Sequence, residues 1–471
     1  MNSTHPIPTP SLVQSLVCFV GIVCLLSVGL FVLQVPIHGL LFLALCWAVV
    51  NARLAGAQYA DIRQMMMAGI SDALPAVFIF FLIGMVIASF MVSGTVAALM
   101  VVGLEWLSPQ SFLVVALLLA ALMSLATGTS WGTVGTVGVV LMGIGEAMNV
   151  PAPLVAGVVI SGATFGDKLS PVSDTTNLAA MSAGTDLFSH IRSMLYTTLP
   201  TLLIVLVILV LLGSDAGAQL MPDQVSVVSS ALQDSFEINW LVGLLPIVVM
   251  LALSLRRFAP EVCMTASAMT ALVLAYLYQD RSVADLISVL WQNQPANTGV
   301  ESLDSLLGRG GMASMSWTLM LALLALALGG ILLRGQFLSV LLAGITRRIR
   351  RTSSLIATTI ATGFFGNVAL GEAYVSIILT AQSFTPAYRQ QQLPSPLLSR
   401  SVEEGATMTT GLIPWTTAGA FYAATLGVAT LDYVPYAFLN YLNPLVSITM
   451  AALGIGLLGA NRPVAGSSQD N

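Results

Sequence analysis

Between positions 159 and 180 the sequence reads VISGATFGDKLSPVSDTTNLAA. This stretch holds Asp167, Lys168, Asp174 and Asn177 among a dense set of serines and threonines, and Lys168 is the only lysine in the chain. Carboxylates, hydroxyls and a side-chain amide are oxygen donors, which hard cations such as sodium take. The same stretch lies between two apolar helices long enough for a bilayer. An ionised side chain at membrane depth costs about 2.5–3.5 kcal/mol even on the lenient insertion scale, so three of them together call for a function. Gly162, Gly166 and Pro171 interrupt the helix there. Backbone freed in this way is tolerated at membrane depth only where it lines a cavity or is buried in protein. A broken apolar helix flanked by carboxylates is the pattern of a transporter's binding site.

Three further irregular segments offer the same chemistry: TGTSWGTVG (127–135), GFFGNVALGE (363–372) and EEGATMTTGLIPW (403–415). They supply Thr129, Ser130 and Thr133, then Asn367 and Glu372, then Glu404 and Thr407. With Asp167, Lys168, Ser170, Asp174, Thr175 and Asn177 these make up the expected ion or substrate site, with Asp167, Asp174 and Asn177 as the sodium ligands. Ser170 followed by Pro171 is expected to start a helix, proline suiting its first position. Asp174 and Asn177 then share one face, three residues apart. A plainer role is open for the hydroxyls, since Ser, Thr and Asn also join helices in lipid. Two roles are open for Lys168: a fixed ion pair, or a partner that leaves a carboxylate when a cation binds. Glu403 and Glu404 stand near Arg400, so one of them is expected to be only a paired or solvated end. Trp131 and Trp415 are expected to pack the hinges.

The elements that must position these residues follow from composition. The chain has 471 residues, 57% hydrophobic and 8% charged. Soluble domains run near 25% charged, so this is a polytopic membrane protein. Apolar spans fall near 11–33, 36–52, 73–92, 109–126, 132–148 and 193–212, and again near 238–255, 259–279 and 313–333. The four cysteines (Cys18, Cys24, Cys46, Cys263) all lie in apolar spans and read as small buried hydrophobes. The second half echoes the first. Gly94 pairs with Gly335, ATG at 126–128 with ATG at 361–363, and GATFGDKLSP (162–171) with GATMTTGLIP (405–414), at offsets of 241, 235 and 243.

The expected fold is therefore all-α and polytopic, with two inverted repeats, each of about five crossings plus a helical hairpin and a broken helix. Residues 1–213 form the first repeat, 214–237 a periplasmic linker, and 238–471 the second repeat with a short cytoplasmic tail. With both termini inside, thirteen of the sixteen basic residues fall on the cytoplasmic side, as topology favours, including the arginines at 347–351 and Arg462. No basic face suits nucleic acid. No HExxH or GxxxxGK[ST] motif occurs, and His5, His38 and His190 lie far from the polar centre, so neither a membrane enzyme nor an ATP-driven pump is expected.

GATFGDKLSPVSDTTNLA resembles the signature of the NhaC-type sodium/proton antiporter family, within the broader ion-transporter superfamily. The run LLSRSVEEGATMTTGLIPWTTAGAFYAATLGV and YVPYAFLNYLNPL resemble that family's C-terminal signature. The resemblance spans nearly the whole chain. It implies a multi-pass secondary carrier of the bacterial inner membrane, with inverted repeats, paired hairpins and often a homodimer. It places Asp167, Ser170, Asp174, Thr175 and Asn177 in the ion site. One departure is Glu372, where an aspartate is expected near the end of the second hairpin. No cofactor is implied beyond the transported Na+ and H+. The expected activity is Na+/H+ antiport; a Na+- or H+-coupled exchanger of small organic acids or amino acids is the alternative.

Overall fold

The computed structural model describes residues 9–72, 74–216, 222–346, 349 and 351–458. Arg347, Arg348, Arg350 and Arg462, placed on the cytoplasmic side above, lie outside these residues, as does His5. Every regular element among the described residues is helical. Among the described residues, seven helices are long and apolar enough to cross a membrane: Leu12–Val32, Ile37–Leu54, Pro109–Thr127, Leu187–Gly213, Pro260–Tyr278, Met312–Arg334 and Thr352–Leu370. Two bent pairs meet the same criteria together, Phe78–Val92 with Thr95–Trp106 (66°) and Ser226–Ser235 with Trp240–Leu255 (84°). The all-α polytopic expectation holds.

Two helical hairpins sit at the centre. In the first, Pro109–Thr127 ends at Gly128, and the chain returns through Ser130–Thr133, a π-turn at Val134–Gly138, and Val139–Ala147. In the second, Thr352–Leu370 ends at Gly371 and Ala373–Gln390 returns. Both tip glycines adopt φ 69°, a left-handed conformation that costs other residues energy. Each is followed by a side chain that caps the returning helix: Thr129 Oγ1 accepts from Gly132 N at 3.3 Å, and Glu372 Oε1 from Tyr374 N at 3.3 Å. The tips are thus 243 residues apart. This corrects the ATG pairing, because 361–363 lies in the middle of Thr352–Leu370, about two turns before the tip.

Behind each hairpin packs a broken helix: Ala152–Leu169 then Asp174–Ala183, and Ser395–Thr410 then Thr417–Leu426. Here again the roles recur at an interval of 243. A Cβ on Gly162 would stand 2.3 Å from Leu117 O, and one on Gly405 2.3 Å from Ile360 O. At both places only glycine admits the neighbouring backbone. Ser173 and Thr416 cap the second segments, accepting from Thr176 N (3.3 Å) and Gly419 N (3.0 Å). Pro171 therefore lies in the connecting turn, three residues before the start of the helix it was expected to open, and Pro414 holds the equivalent place before Thr417. Serine and threonine caps satisfy exposed N–H groups, which proline cannot do.

The second segments reach across the molecule. Asp174–Ala183 packs on Ala373–Gln390 and Ser395–Thr410, while Thr417–Leu426 packs on Ser316–Arg334 and the π-turn of the first hairpin. The expected linker 214–237 is largely regular, since Leu187–Ala216 extends into it and Pro222–Ser235 is a helix. Cys18 and Cys263 are buried as expected, whereas Cys24 and Cys46 are exposed on the outer surface of their apolar helices.

Candidate ion-binding site

The two hairpin tips and the two helix breaks surround a cavity of about 820 Å³. Thr129, Ser130, Asp167, Lys168, Asp174, Thr175, Asn177, Glu372 and Thr407 line it, together with Trp131, Tyr374, Thr410, Thr417 and Tyr422. Its other wall is the turn from Arg257 to Pro260 with Cys263 and Met264.

The charged centre forms at the end of Ala152–Leu169. Lys168 Nζ lies 3.1 Å from Asp167 Oδ2 and 3.0 Å from Glu403 Oε1, and donates to Thr175 Oγ1 at 2.7 Å. Lys168 is 2% exposed and Glu403 0%, so the pair meets away from solvent. Lysine at a helix C-terminus and aspartate at the next N-terminus, Asp174, both match the helix dipoles. Ser130 Oγ donates to Asp167 Oδ2 at 3.1 Å, tying the first hairpin tip to the break. Asp167 Oδ1 is buried with no hydrogen-bond partner among the described residues. Fully ionised, Asp167, Lys168 and Glu403 sum to one net negative charge. One monovalent cation there neutralises these three groups, and an unneutralised charge in the interior is costly.

Asp174 faces the second hairpin. Its Oδ1 accepts from Thr175 N at 2.7 Å, and Tyr374 OH donates to its Oδ2. Tyr374 N in turn bonds Glu372 Oε1, whose other oxygen accepts from Thr417 Oγ1 at 2.6 Å. A chain of polar contacts thus runs from the first break through Tyr374 to the second hairpin tip. Trp131 clusters with Phe80 and Phe421 beside the cavity, the three ring centroids lying 5.3, 5.0 and 6.1 Å apart.

The model of the Na+/H+ antiporter family matches residues 8–176 and 162–455. The chain belongs to the Na+/H+ antiporter family. The Na(+)/H(+) antiporter NhaC of Alkalihalophilus pseudofirmus is 37% identical over 430 residues, covering 91% of this chain and 93% of the relative. NhaC of Bacillus subtilis is 34% identical, covering 91% and 95%. The malate-2H(+)/Na(+)-lactate antiporter of the same organism is 34% identical, covering 87% of each chain. The resemblance noted in the sequence is thereby confirmed.

Within this antiporter family member, four expected site residues fall outside the cavity lining. Ser170 Oγ donates to Leu125 O at 2.7 Å and fastens the break to the first hairpin. Asn367 Nδ2 donates to Ala406 O and to Thr409 Oγ1, so it joins two helices of the second half. Thr133 Oγ1 bonds its own helix at Thr129 O, 3.0 Å away. Glu404 is fully buried on the opposite face of Ser395–Thr410, where it accepts from Thr197 Oγ1 at 2.6 Å and lies 3.9 Å from Arg400 Nε. Neither Glu403 nor Glu404 is a solvated end. Asn177 stays at the cavity, but its amide donates to Pro171 O and Ser173 O, holding the turn and leaving its oxygen as the free donor. His190 is nearer the polar centre than its sequence position suggested: its Nδ1 lies 2.8 Å from Ser399 Oγ, one turn before Glu403. Trp415 packs a hinge as expected, donating to Val368 O at 2.8 Å, while Trp131 reaches the cavity. Glu403, Tyr374, Thr417 and Tyr422 were missed by residue type. A constant offset of 243 from Trp131 and Asp174 points to Tyr374 and Thr417.

Proposed function

We propose that this chain is a secondary active transporter that moves Na+ out of the cell in exchange for H+, through alternating access to the cavity. Asp167 and Asp174 bind either ion, with Ser130, Thr175 and the Asn177 oxygen as neutral donors. The observation that carries this is Lys168 placed between two carboxylates. When sodium takes Asp167, the ammonium keeps Glu403 and Thr175 as partners, so the cation enters without stranding a buried charge. Of the two roles open for Lys168, this geometry favours the mobile partner over the fixed pair. When the ion leaves, Lys168 or a proton again covers Asp167.

Two inverted repeats, 1–213 and 238–471, joined by a periplasmic linker at 214–237, provide the alternation. Support comes from the caps, tip glycines and close approaches that recur at 243. Arg257 in the cavity lining then makes this state open to the cytoplasm of a bacterial inner membrane. Both termini are cytoplasmic, and the family resemblance, which often goes with a homodimer, favours one in the bilayer. Single cysteines at Ser226 and Ser353 in a cysteine-free background should label from the periplasm and the cytoplasm, respectively. Labelling of both from one side removes the inverted arrangement.

The deciding measurement is binding of labelled sodium to the purified protein across pH at fixed ionic strength. With proton and sodium excluding each other, apparent affinity should rise about tenfold per pH unit for each proton displaced, then level off. A flat profile would mean that protons and sodium use separate sites. A second reading, exchange of a small organic acid coupled to Na+ or H+, draws on the cavity volume, which falls in the range of small-molecule sites. Sodium-for-proton exchange in liposomes free of organic solutes separates the two.

A further inference from the structure

The cavity contains a second set of oxygen donors that the mechanism above does not use. At the interval of 243, Asp167 corresponds to Thr410, Asp174 to Thr417, and Thr129 to Glu372. Each half thus has one acid and one hydroxyl at its hairpin tip and helix start, with the order exchanged. In the first half the tip carries Thr129 and the helix start Asp174; in the second the tip carries Glu372 and the helix start Thr417. The second pair is already together, Thr417 Oγ1 donating to Glu372 Oε2 at 2.6 Å. Glu372 is 2% exposed and has no basic partner among the ion pairs of the described residues. Thr410 completes the set. It lines the cavity, is 7% exposed, and its hydroxyl has no hydrogen-bond partner among the described residues. Of the buried polar atoms without a partner among the described residues, only Asp167 Oδ1 and Thr410 Oγ1 belong to the cavity lining, and an idle buried polar atom at a cavity marks a place for a ligand.

We infer that Glu372, Thr410 and Thr417 form a second subsite for a hard monovalent cation, distinct from that at Asp167 and Asp174. A carboxylate with two hydroxyls offers only oxygen donors and a single negative charge, which one sodium ion neutralises. Lysine is absent here because Gly411 stands where Lys168 stands in the first half. The second subsite therefore has no built-in cation to cover its acid when empty, and a proton or a second sodium ion takes that place. Tyr374, bonded to both acids, holds the two subsites apart, each able to fill on its own. This inference rests on sodium being the cargo.

The test counts labelled sodium bound per chain by the purified full-length protein. Two ions per chain are expected. Thr410→Val keeps the shape and removes a hydroxyl that has no partner in the fold, so the protein should remain folded. It should weaken one of the two ions at least tenfold and leave the other unchanged, with Thr410→Ser restoring both. Asp167→Asn should remove the other ion and leave the Thr410-dependent one. A single ion that Thr410→Val does not affect overturns the second subsite and leaves the exchange at Asp167 standing. Loss of both ions in Thr410→Val also overturns it, because a ligand of one subsite leaves the other filled. No sodium bound by the unaltered protein overturns the antiport proposal itself.

Discussion

The two helix breaks are alike in backbone and unlike in charge. The first, between Leu169 and Asp174, carries Asp167, Lys168 and Asp174 and recruits Glu403 from the other half. The second, between Thr410 and Thr417, is neutral and is held by fixed hydrogen bonds: Tyr433 OH to Gly411 O at 2.6 Å, and Thr416 Oγ1 to Thr410 O at 2.6 Å. Both share a glycine against the hairpin backbone and a hydroxyl cap. The lesson is that scaffold and chemistry separate. Equivalent backbone changes should cost the two halves alike, while equivalent side-chain changes should not.

The largest effect is expected at the helix starts. Asp174→Asn should reduce Na+/H+ exchange at least a hundredfold while the protein stays inserted. Thr417→Val, at the equivalent position, should cost about tenfold, because Glu372 retains its charge; each factor of ten corresponds to about 1.4 kcal/mol of transition-state stabilisation. Equal losses in liposome flux would break the comparison. Next, Lys168→Met leaves Asp167 and Glu403 facing each other without a cation and should cost about 3–5 kcal/mol of stability. Adding Glu403→Gln should recover a large part of that in thermal unfolding. A double variant as unstable as the sum of the singles would show that the two residues do not act through each other. Smaller and symmetric, Gly162→Ala and Gly405→Ala should each cost about 1–3 kcal/mol by forcing a methyl group into a neighbouring carbonyl. A loss confined to one of them would show that the two scaffolds are not equivalent.

The sequence made the element order and the first break legible for physical reasons. Long apolar runs, glycines and isolated charges are strong signals in a membrane chain, and nine of the thirteen expected residues line the cavity. The partnership of Lys168 with Glu403 was not legible. The two lie in different halves, and Arg400 in the next turn back offered a nearer partner in sequence. That arginine instead serves Glu404 and Gly456 O, 3.0 Å from its Nη1. The echo of motifs between the two halves was visible, but the ATG letters drew the hairpin match off register, since Ala, Thr and Gly recur wherever membrane helices pack closely. A glycine followed by a capping side chain, GT at 128–129 and GE at 371–372, was the better marker. Pro171 misled in the same way: it lies in a turn, and the hydroxyl of Ser173, two residues on, caps the helix that follows.

The burial of Lys168 has a practical side. It is the only lysine, and its side chain is 2% exposed. Acylating and reductive-alkylating reagents, which tag or cross-link most proteins through ε-amines, find no accessible lysine side chain in this state. A single lysine introduced on an exposed loop becomes a unique handle for a dye or a surface. Any step of the transport cycle that parts the first hairpin from the break and admits water turns Lys168 into a reactive amine. Its rate of acylation then reports, without any engineered label, how often the carrier visits that state.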